Sequence, residues 1–506
     1  MLVRCCKAER YPIWGYGNIF NADLIASVHL TVSLPQPLRV RQALPCSTAM
    51  PSPSAHPNVL LIVGDDHQAD AIAALGHPVV RTPVLDGLVR DGTAFTQVRI
   101  MGSLMAAVCA PSRACLLTGR NVFRADASPV LSRGPKYQVR LPADACTLPE
   151  CFRAAGYQTH VTGKWHNCRS SLTRSFSSGS RIFLGGMSNH TGVPVFDYDP
   201  SGAYRSENTR VAEGFSSEIF ADAAIDFIGG WNRRQPFLLY LAFTSPHDPR
   251  TPPKPFRQNY IDSRIPLPPN FLPEHPFDNG ELHIRDEELA SFPRQPEEIR
   301  RHLADYYGMI SHQDAQIGRV VEALRLAGVL DSTIIVYLSD HGLALGQHGL
   351  MGKQNLYEHS VRVPLVLRGP GVPRGERRSS LAYSFDVYAT LCSLAGIAPP
   401  PGIDSRSLVP AFAHPSLAVR DELCSLYMDC QRMVTNGRWK LIRYHVNGLD
   451  RVQLFDLDCD PYELHDVAAM PSHAAIIAEM AARLSEWQED VGDCWMRGES
   501  SAVARK

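Results

Sequence analysis

Short, continuous apolar runs alternate with helical segments along the first two thirds of this chain. The run Asn58–Val63 ends at Gly64, and similar runs cover Tyr157–Thr162, Phe237–Phe243 and Thr333–Leu338. Such runs are typical of strands that are buried on both faces of a parallel sheet. Strands that alternate with crossover helices predict a doubly wound α/β domain, in which ligands bind beyond the carboxyl ends of the strands.

Helix-starting signals stand between these runs. Thr82–Pro83 supplies an N-cap and a first-turn proline, and Thr147–Glu150 has the sequence of a capping box. Further helices are predicted around Ser217–Ile228 and from about Glu298 to Ala327. The stretch 251–300 is rich in Pro, Asn and charge, and we interpret it as a long surface excursion rather than a domain.

The pattern changes after Pro399–Gly402. Beyond about residue 415, short strand-like runs and a final helix at His473–Glu489 predict a small antiparallel sheet with a helix packed on it. We therefore expect three parts: an N-terminal extension at 1–55, a main α/β domain at 56–400 and a smaller α+β domain at 401–506.

Composition and charge exclude several classes of protein. The chain has 50 Lys and Arg against 51 Asp and Glu, a formal net charge of -1, so no global field attracts nucleic acid or an anionic membrane. No apolar run approaches the roughly 20 residues of a membrane span. The stretch Leu24–Leu34 is mildly apolar but is interrupted by His29. Residues 1–49 are therefore either an export signal, which gives a periplasmic or secreted protein, or an extension before Met50 in a cytoplasmic one.

Acidic residues follow two of the predicted strands. Asp65 and Asp66 end the first strand, and Asp340–His341 follows the fourth. Each pair alone is ordinarily an acidic turn or a helix cap. Strand ends of one sheet can meet in one crevice, however, and adjacent buried carboxylates repel each other unless a cation lies near them. Three carboxylates with neutral oxygen or nitrogen donors suit Ca²⁺ or Mg²⁺ better than Zn²⁺.

Cys109 stands just before a predicted helix N-terminus. Pro111 suits the first turn of that helix and Gly119 suits its end. The helix dipole stabilises a thiolate at this position, so the residues alone suggest a reactive thiol. An inert buried cysteine is the ordinary alternative.

The segment Cys109–Arg120 also resembles a known signature. Cys-x-Pro-Ser-Arg followed by Leu-x-Thr-Gly-Arg is typical of the formylglycine-dependent (type I) sulfatases of the alkaline phosphatase superfamily. The resemblance covers roughly residues 57 to 490 and implies an alkaline-phosphatase-like fold. Further segments that resemble family motifs, in family order, are Gly163–His166, Pro246–His247, Ser339–Gly342, Leu345–Gly349 and Gly352–Lys353.

In that family the cysteine is oxidised to Cα-formylglycine (3-oxoalanine), and the hydrated aldehyde attacks a sulfate ester. The resemblance therefore implies that a formylglycine-generating maturation enzyme converts Cys109. It also implies a bound metal ion, with Ca²⁺ expected and Mg²⁺ or Mn²⁺ as alternatives. The implied metal ligands are Asp65, Asp66, Cys109, Asp340 and His341.

The resemblance further implies a division of labour in catalysis. Two lysines hold the sulfate as compact point charges, and Arg113 orients the hydrated aldehyde. Asp340 accepts the proton of the attacking hydroxyl, His166 takes the second proton as sulfate leaves by C–O cleavage, and His247 protonates the departing alcohol. The implied catalytic set is Cys109, Arg113, Lys164, His166, His247 and Lys353.

Several points stay open at the level of sequence. His341 stands where many family members have Asn; His also occurs in iduronate- and choline-sulfatase-like branches and in phosphonate monoester hydrolases. We expect a sulfatase that acts on a sulfated carbohydrate or a small metabolite. A phosphonate or phosphate monoester hydrolase of the same superfamily, and a non-catalytic sulfated-glycan binder with unoxidised Cys109, are the alternatives. For His348, His359, Asp248 and Arg250, structural and substrate-contacting roles remain equally open.

Overall fold

The computed structural model describes residues 56–128 and 139–495. The expectations for residues 1–49 and Met50, an export signal or an upstream extension, lie outside the described residues.

The strands of the described chain are numbered in sequence order. They are β1 (Asn58–Asp65), β2 (Thr93–Phe95), β3 (Val98–Arg99), β4 (Gly102–Ser103), β5 (Gln158–Lys164), β6 (Ser178–Phe183), β7 (Pro194–Val195), β8 (Arg210–Val211), β9 (Phe237–Pro246), β10 (Thr333–Ser339), β11 (Leu365–Arg368), β12 (Glu376–Arg378), β13 (Ala382–Tyr383), β14 (Leu423–Tyr427), β15 (Gln431–Thr435), β16 (Trp439–Val446) and β17 (Leu449–Asp456).

The α-helices are numbered in the same way. They are α1 (Pro83–Arg90), α2 (Cys109–Thr118), α3 (Leu148–Ala154), α4 (Arg169–Ser175), α5 (Ser216–Gly230), α6 (Lys254–Arg257), α7 (Pro296–Leu326), α8 (Glu358–Val361), α9 (Val387–Leu394), α10 (Val409–Ala413) and α11 (Ala474–Val491). The capping box at the start of α3 is present, since Thr147 accepts from the Glu150 amide and the Glu150 carboxylate accepts from the Thr147 amide.

The main sheet has the strand order β12-β2-β11-β10-β1-β9-β5-β6. The strands from β10 to β6 run parallel, as expected, whereas β11 is antiparallel to both β10 and β2. The sheet is therefore mixed rather than parallel throughout. The reason is that the segment 340–364 stays at the carboxyl end of the sheet, so the chain returns directly as β11, with Leu365 opposite Leu338.

Helices cover both faces of the main sheet, as a doubly wound fold requires. Leu60 and Ile62 pack in one hydrophobic cluster with residues of α1, α5 and α7. Val59, Leu61 and Val63, which point to the opposite face, pack in a second cluster with residues of α2, α3 and α9. The absence of polar alternation in β1 follows from this double burial.

A second sheet occupies the C-terminal part of the chain. Strands β14 to β17 form an antiparallel meander, and β4 adds to its edge in parallel with β14. Helix α11 packs on this sheet, where Met480 and Leu484 share a cluster with Leu441 and Leu454. These elements match the predicted small α+β region, while the boundary at residue 400 stays a prediction.

The predicted long elements lie within a few residues of the observed ones, but the excursion at 251–300 is not a surface segment throughout. Within it, Arg294 and Glu287 form a buried ion pair. Arg294 Nε donates to the carbonyl oxygen of Gly349 at 3.0 Å, and the carboxylate of Glu287 accepts from the amides of Met351 and Gly352 at 2.8 and 2.9 Å. The segment 251–300 therefore holds the loop that carries Lys353 in place through hydrogen bonds.

Among the helices described, none is both long and apolar enough to cross a bilayer.

His160 on β5 gives this fold a pH-dependent stability. Its Nδ1 and Nε2 lie 2.9 and 3.2 Å from the hydroxyls of Ser178 and Ser180. Burial lowers the pKa of His160 from 6.5 to about 4. Between pH 6.5 and 4 the imidazole is neutral in the folded chain but protonated in the unfolded chain. The contribution of His160 to folding stability is therefore present at pH 7 and is lost as the pH falls from 6.5 to 4.

We expect the variant His160→Gln to lower the free energy of unfolding by about 1–2 kcal/mol at pH 7, through its lost hydrogen bonds and packing. The difference in unfolding free energy between the two proteins should narrow at pH 4.5, because only the unaltered protein has a buried histidine at position 160 to protonate. Urea unfolding at both pH values measures the gap. A gap of the same size at both pH values would contradict the argument.

Candidate active site

The carboxyl ends of four adjacent parallel strands bring the predicted residues together. β1 ends at Asp65 and β5 ends at Lys164, while His247 follows β9 and Asp340 follows β10. The first residue of α2, Cys109, approaches the same edge: its Sγ lies 3.0 Å from Nε2 of His341, the residue after Asp340. The long-range order of the sheet therefore assembles this site.

Asp65 and Asp66 point into one site although neighbouring strand residues ordinarily point to opposite faces. Asp66 adopts a left-handed backbone conformation, with φ at 71°, which interrupts the alternation. The Tyr306 hydroxyl donates to the Asp66 carbonyl oxygen at 2.7 Å, and the Asp66 amide lies 3.4 Å from Oδ1 of Asp340. Both carboxylates are almost completely buried, with residue exposures of 0% and 1%.

A bulge in β5 directs Lys164 to Asp65. Gly163 has a φ of 91°, and a Cβ at that position would lie 1.8 Å from the carbonyl oxygen of Ala242, so a side chain there would clash with β9. Lys164 Nζ donates to Oδ2 of Asp65 at 2.5 Å, and the lysine is fully buried. The glycine of this motif is thus a requirement of strand packing, and the lysine supplies the charge that Asp65 needs.

The thiol of Cys109 lies among cationic groups. Nζ of Lys353 is 3.7 Å from Sγ, in addition to the contact with His341. Burial alone would raise the pKa of Cys109, but Lys164, Lys353, His341 and a hydrogen bond from His166 together lower it well below its usual range. Position 109 is therefore set up to hold a negatively charged or strongly polarised group.

Arg113 ties α2 to the end of β10. Its Nε donates to Oδ2 of Asp340 at 2.8 Å, and its Nη1 donates to the carbonyl oxygen of Lys164 at 3.0 Å. Burial would lower the pKa of Arg113, but the Asp340 carboxylate raises it, so the guanidinium stays charged. Nη2 of Arg113 is buried without a hydrogen-bond partner, which leaves a donor for a further oxygen at the site.

Lys353 and His247 lie side by side on Asp66. Lys353 Nζ donates to Oδ1 of Asp66 at 2.8 Å and lies 2.9 Å from Nε2 of His247. Burial lowers the pKa of His247, but Asp66 opposes this, and the pKa rises to about 9. The lysine–histidine pair therefore holds protons at neutral pH.

His166 occupies a further strained position beside Cys109, with φ at 57°. Its ring packs against Gly186, where a Cβ would lie 2.6 Å from Nε2, so this glycine makes room for the imidazole. Burial is the main cause of a lowered pKa for His166, and its Nδ1 has no hydrogen-bond partner. The ring is therefore neutral and can accept a proton.

The acidic residues fit a divalent cation. Ligand atoms of Asp65, Asp66, Cys109 and His341 all lie within 4.8 Å of one another and are buried. Oδ1 of Asp65 is buried without a hydrogen-bond partner, which is costly for a carboxylate unless the oxygen coordinates a cation. Asp340, the fifth implied ligand, has Oδ1 3.6 Å from Nε2 of His341. An oxygen-rich donor set of this kind suits a hard divalent ion.

The structure distinguishes the surroundings of three of the four residues whose roles the sequence left open, His348, His359 and Asp248. His348 stacks on Tyr357, with ring centroids 4.0 Å apart, and the ring of His359 lies 5.7 Å from both of these rings. Both therefore contribute to packing. Asp248, in contrast, lies next to His247, with Oδ1 3.3 Å from Nδ1, and pairs with Arg285.

Arg285 is a residue that the sequence analysis missed. It comes from the excursion at 251–300, is half-exposed at the rim of the site, and contacts Asp286 at 2.9 Å as well as Asp248. Nothing in the local sequence marks it, because its partner Asp248 lies 37 residues away.

Taken together, the geometry defines a hydrolase for esters of tetrahedral oxyanions. Cationic side chains and proton donors surround Cys109 beside a carboxylate cluster, an arrangement that suits an anionic centre with a departing alcohol. The family model described as Sulfatase matches residues 57–397, and the model described as N-sulphoglucosamine sulphohydrolase, C-terminal matches residues 346–490. The chain belongs to the sulfatase family, the sulfuric-ester hydrolases with an alkaline-phosphatase-like fold.

Known proteins of similar sequence and structure agree with this assignment. An N-acetylglucosamine-6-O-sulfatase of Bacteroides thetaiotaomicron is 25% identical, with 95% of each chain covered. A choline-sulfatase of Rhizobium meliloti is 27% identical, covering 87% of this chain and 89% of the other. A structure solved in complex with its substrate D-glucosamine-2-N,6-O-disulfate superposes with a TM-score of 0.71 at 22% identity, covering 87% of this chain and 98% of that one.

The carboxylate cluster predicts that a divalent cation stabilises the folded chain. Removing divalent ions with EDTA should lower the melting temperature, and adding Ca²⁺ at about 100 times its dissociation constant should restore about 2.7 kcal/mol, a shift of a few degrees in a chain of this size. The Asp65→Asn variant should lose this response, because its amide gives up the negative charge that attracts the ion.

Differential scanning calorimetry on protein with unoxidised Cys109 keeps the measurement independent of turnover. Asp331→Asn, at a side chain that is 88% exposed, is the matched control and should keep the full response. An equal response in Asp65→Asn and in the unaltered protein would exclude Asp65 as a ligand.

Proposed function

We propose that this sulfatase removes sulfate from a sulfated amino sugar, with oxidised Cys109 as the position of the nucleophile and Ca²⁺ as its metal ion. The observation that carries the proposal is the convergence of Lys164, Lys353, His341 and His166 on Cys109. The substrate class is supported by the relative named N-acetylglucosamine-6-O-sulfatase, which is similar over 95% of both chains. A small sulfated metabolite is the alternative substrate, as in the relative named choline-sulfatase.

Formylglycine at position 109 and a bound metal ion would complete the proposed site. A formylglycine-generating enzyme would convert Cys109 to formylglycine, whose hydrate supplies a hydroxyl nucleophile and a second hydroxyl through which sulfate is released. The metal ion, held by Asp65, Asp66, Asp340, His341 and residue 109, would supply positive charge to the sulfate oxygens and to the nucleophile.

The lysines and Arg113 bind the sulfate group. Lys164 and Lys353 are compact buried charges, one paired with Asp65 and the other with Asp66. Arg113 keeps one donor free, Nη2, while Asp340 fixes the rest of the guanidinium. Charges that are already in place cost no reorganisation as negative charge moves to the leaving oxygen.

His247 and Lys353 deliver a proton to the departing alcohol. Their nitrogens lie 2.9 Å apart, and Asp66 keeps the pair charged. As the bond between sulfur and the alcohol oxygen breaks, a proton from Nε2 of His247 passes to that oxygen, and Lys353 can resupply the imidazole.

Two further groups on the chain accept protons. Asp340 is proposed to take the proton of the attacking hydroxyl, because its Oδ1 faces His341 and the Asp66 amide while Arg113 holds Oδ2. His166 is proposed to take the second proton, since burial keeps its imidazole neutral and its Nδ1 has no partner.

A comparison of esters that share one leaving group tests the proposal. Protein co-expressed with a formylglycine-generating enzyme should hydrolyse a sulfate monoester faster than the matching phosphonate monoester, because the chain belongs to the sulfatase family. Cys109→Ala should lower sulfate release by at least about 10³-fold. Release of sulfate from glucosamine 6-sulfate and from choline sulfate, followed by ion chromatography, then ranks the two substrate classes.

The mass of the peptide that contains Cys109 is the control for maturation. Preference for the phosphonate would identify the protein as a phosphonate monoester hydrolase, and turnover that survives Cys109→Ala would overturn the assigned nucleophile. Protein from its own host with unmodified cysteine and no turnover would indicate a sulfated-glycan binder.

A further inference from the structure

A buried histidine outside the implied catalytic set contacts the backbone of His247. His190 is 1% exposed and lies between β6 and β7. Its Nε2 lies 2.9 Å from the carbonyl oxygen of His247, and its Nδ1 lies 2.8 Å from the hydroxyl of Ser216 at the start of α5. Both ring nitrogens therefore have a partner, and one partner belongs to the residue that protonates the leaving group.

The partners of His190 determine where its proton lies. A carbonyl oxygen can only accept, so Nε2 must carry the hydrogen and donate it to His247. Burial lowers the pKa of His190 to about 4, so the ring carries one proton and Nδ1 must accept from the Ser216 hydroxyl. Thr244 in turn donates to that hydroxyl at 3.0 Å. The hydrogen bonds run in one direction, from Thr244 through Ser216 and His190 to the His247 carbonyl.

Packing fixes the ring in this orientation. Phe215 stacks on His190 with ring centroids 5.1 Å apart and an interplanar angle of 6°. The Ser216 amide donates to the His190 carbonyl oxygen at 2.7 Å, which ties the backbone of His190 to the first residue of α5. The imidazole can therefore neither turn over nor move away from His247 without breaking contacts on α5.

The side chain of His247 depends on the peptide that His190 holds. Nδ1 of His247 lies 2.9 Å from the carbonyl oxygen of Asp248, and Nε2 faces Lys353 at 2.9 Å. A rotation of the peptide between His247 and Asp248 would move both contacts. An imidazole that donates a proton must hold its nitrogen within hydrogen-bond reach of the leaving oxygen, so a small rotation would weaken the transfer.

We propose that His190 is a positioning residue for leaving-group protonation, acting through its hydrogen bond to the His247 carbonyl. This inference rests on the proposed function of His247 as the proton donor. His190 itself touches neither sulfate nor metal ligands in this arrangement; it orients the group that donates.

The test is the dependence of turnover on the leaving group. A series of aryl sulfates with phenols of increasing pKa is hydrolysed by matured protein, and kcat and KM are measured for each ester. Good leaving groups need little protonation, so loss of proton donation slows only the poor ones. His190→Ala should lower kcat by about tenfold or more for the phenol of highest pKa and by less than about threefold for 4-nitrophenol, with little change in KM.

Conservative and matched variants separate positioning from general destabilisation. His190→Gln keeps an N–H near the position of Nε2 and should restore most of the native dependence. His160→Ala removes another buried histidine, one that stacks on Phe227 at 4.2 Å and bonds only serines, so it should lower stability and leave the leaving-group dependence unchanged. If His190→Ala fails to fold, Ser216→Ala carries the test, since it removes the hydroxyl that orients the ring.

The outcomes distinguish this inference from the function on which it rests. His247→Ala should show a steep leaving-group dependence; if it does not, His247 is not the proton donor and the inference falls with that role. The inference is overturned if His247→Ala shows a steep dependence of kcat on the leaving group but His190→Ala slows all esters equally. Where His190→Ala cannot be obtained, an unchanged leaving-group dependence in Ser216→Ala overturns it. In either case His190 has only a structural role.

Discussion

Mutual repulsion among Asp65, Asp66 and Asp340 is the constraint from which the rest of the site follows. Three buried carboxylates at the ends of adjacent strands can stay ionised only if cations lie against them. Lys164 contacts the first, Lys353 the second and Arg113 the third, at 2.5, 2.8 and 2.8 Å. These cations come from β5, from the loop after β10 and from α2, so the electrostatic balance joins distant parts of the chain. The same cations surround Cys109, and what neutralises the carboxylates also attracts an anionic substrate.

The antiparallel position of β11 in the main sheet determines where the charged residues of this site lie. Because β11 returns directly beside β10, the segment 340–364 remains at the carboxyl edge, where it brings both His341 and Lys353 to the site. A crossover helix at this point would have taken that segment to the opposite edge. The excursion at 251–300 then secures the Lys353 loop through Glu287. Rigid support of this kind keeps charges in place, which is how a site lowers the energy of a transition state with shifting charge.

Local patterns in the sequence predicted those features of the fold that neighbouring residues determine. The burial of β1 on both faces, the capping box at Thr147 and the length of α7 all follow from nearby residues and agree with the structure. The family motifs marked the residues that converge on Cys109, but not the contacts that orient them. Neither the antiparallel β11 nor the pairing of Arg285 with Asp248 has a local signal, since each depends on where the chain returns after a long separation. The contacts of His190 were not predicted for the same reason, because its partners lie 26 and 57 residues away in the sequence.

The pairing of β4 with β14 has a consequence for the order in which this protein is completed. Gly102 and Ser103, just before Cys109, are neighbours of Leu426 and Tyr427 in the second sheet. In the folded chain Cys109 is only 3% exposed, so the proposed maturation enzyme would have to contact it before these elements close. Translation at about 5–20 residues per second leaves the partner strand unmade for tens of seconds after Cys109 is synthesised. An enzyme that oxidises Cys109 would therefore act on the chain before β14 has been made and has paired with β4.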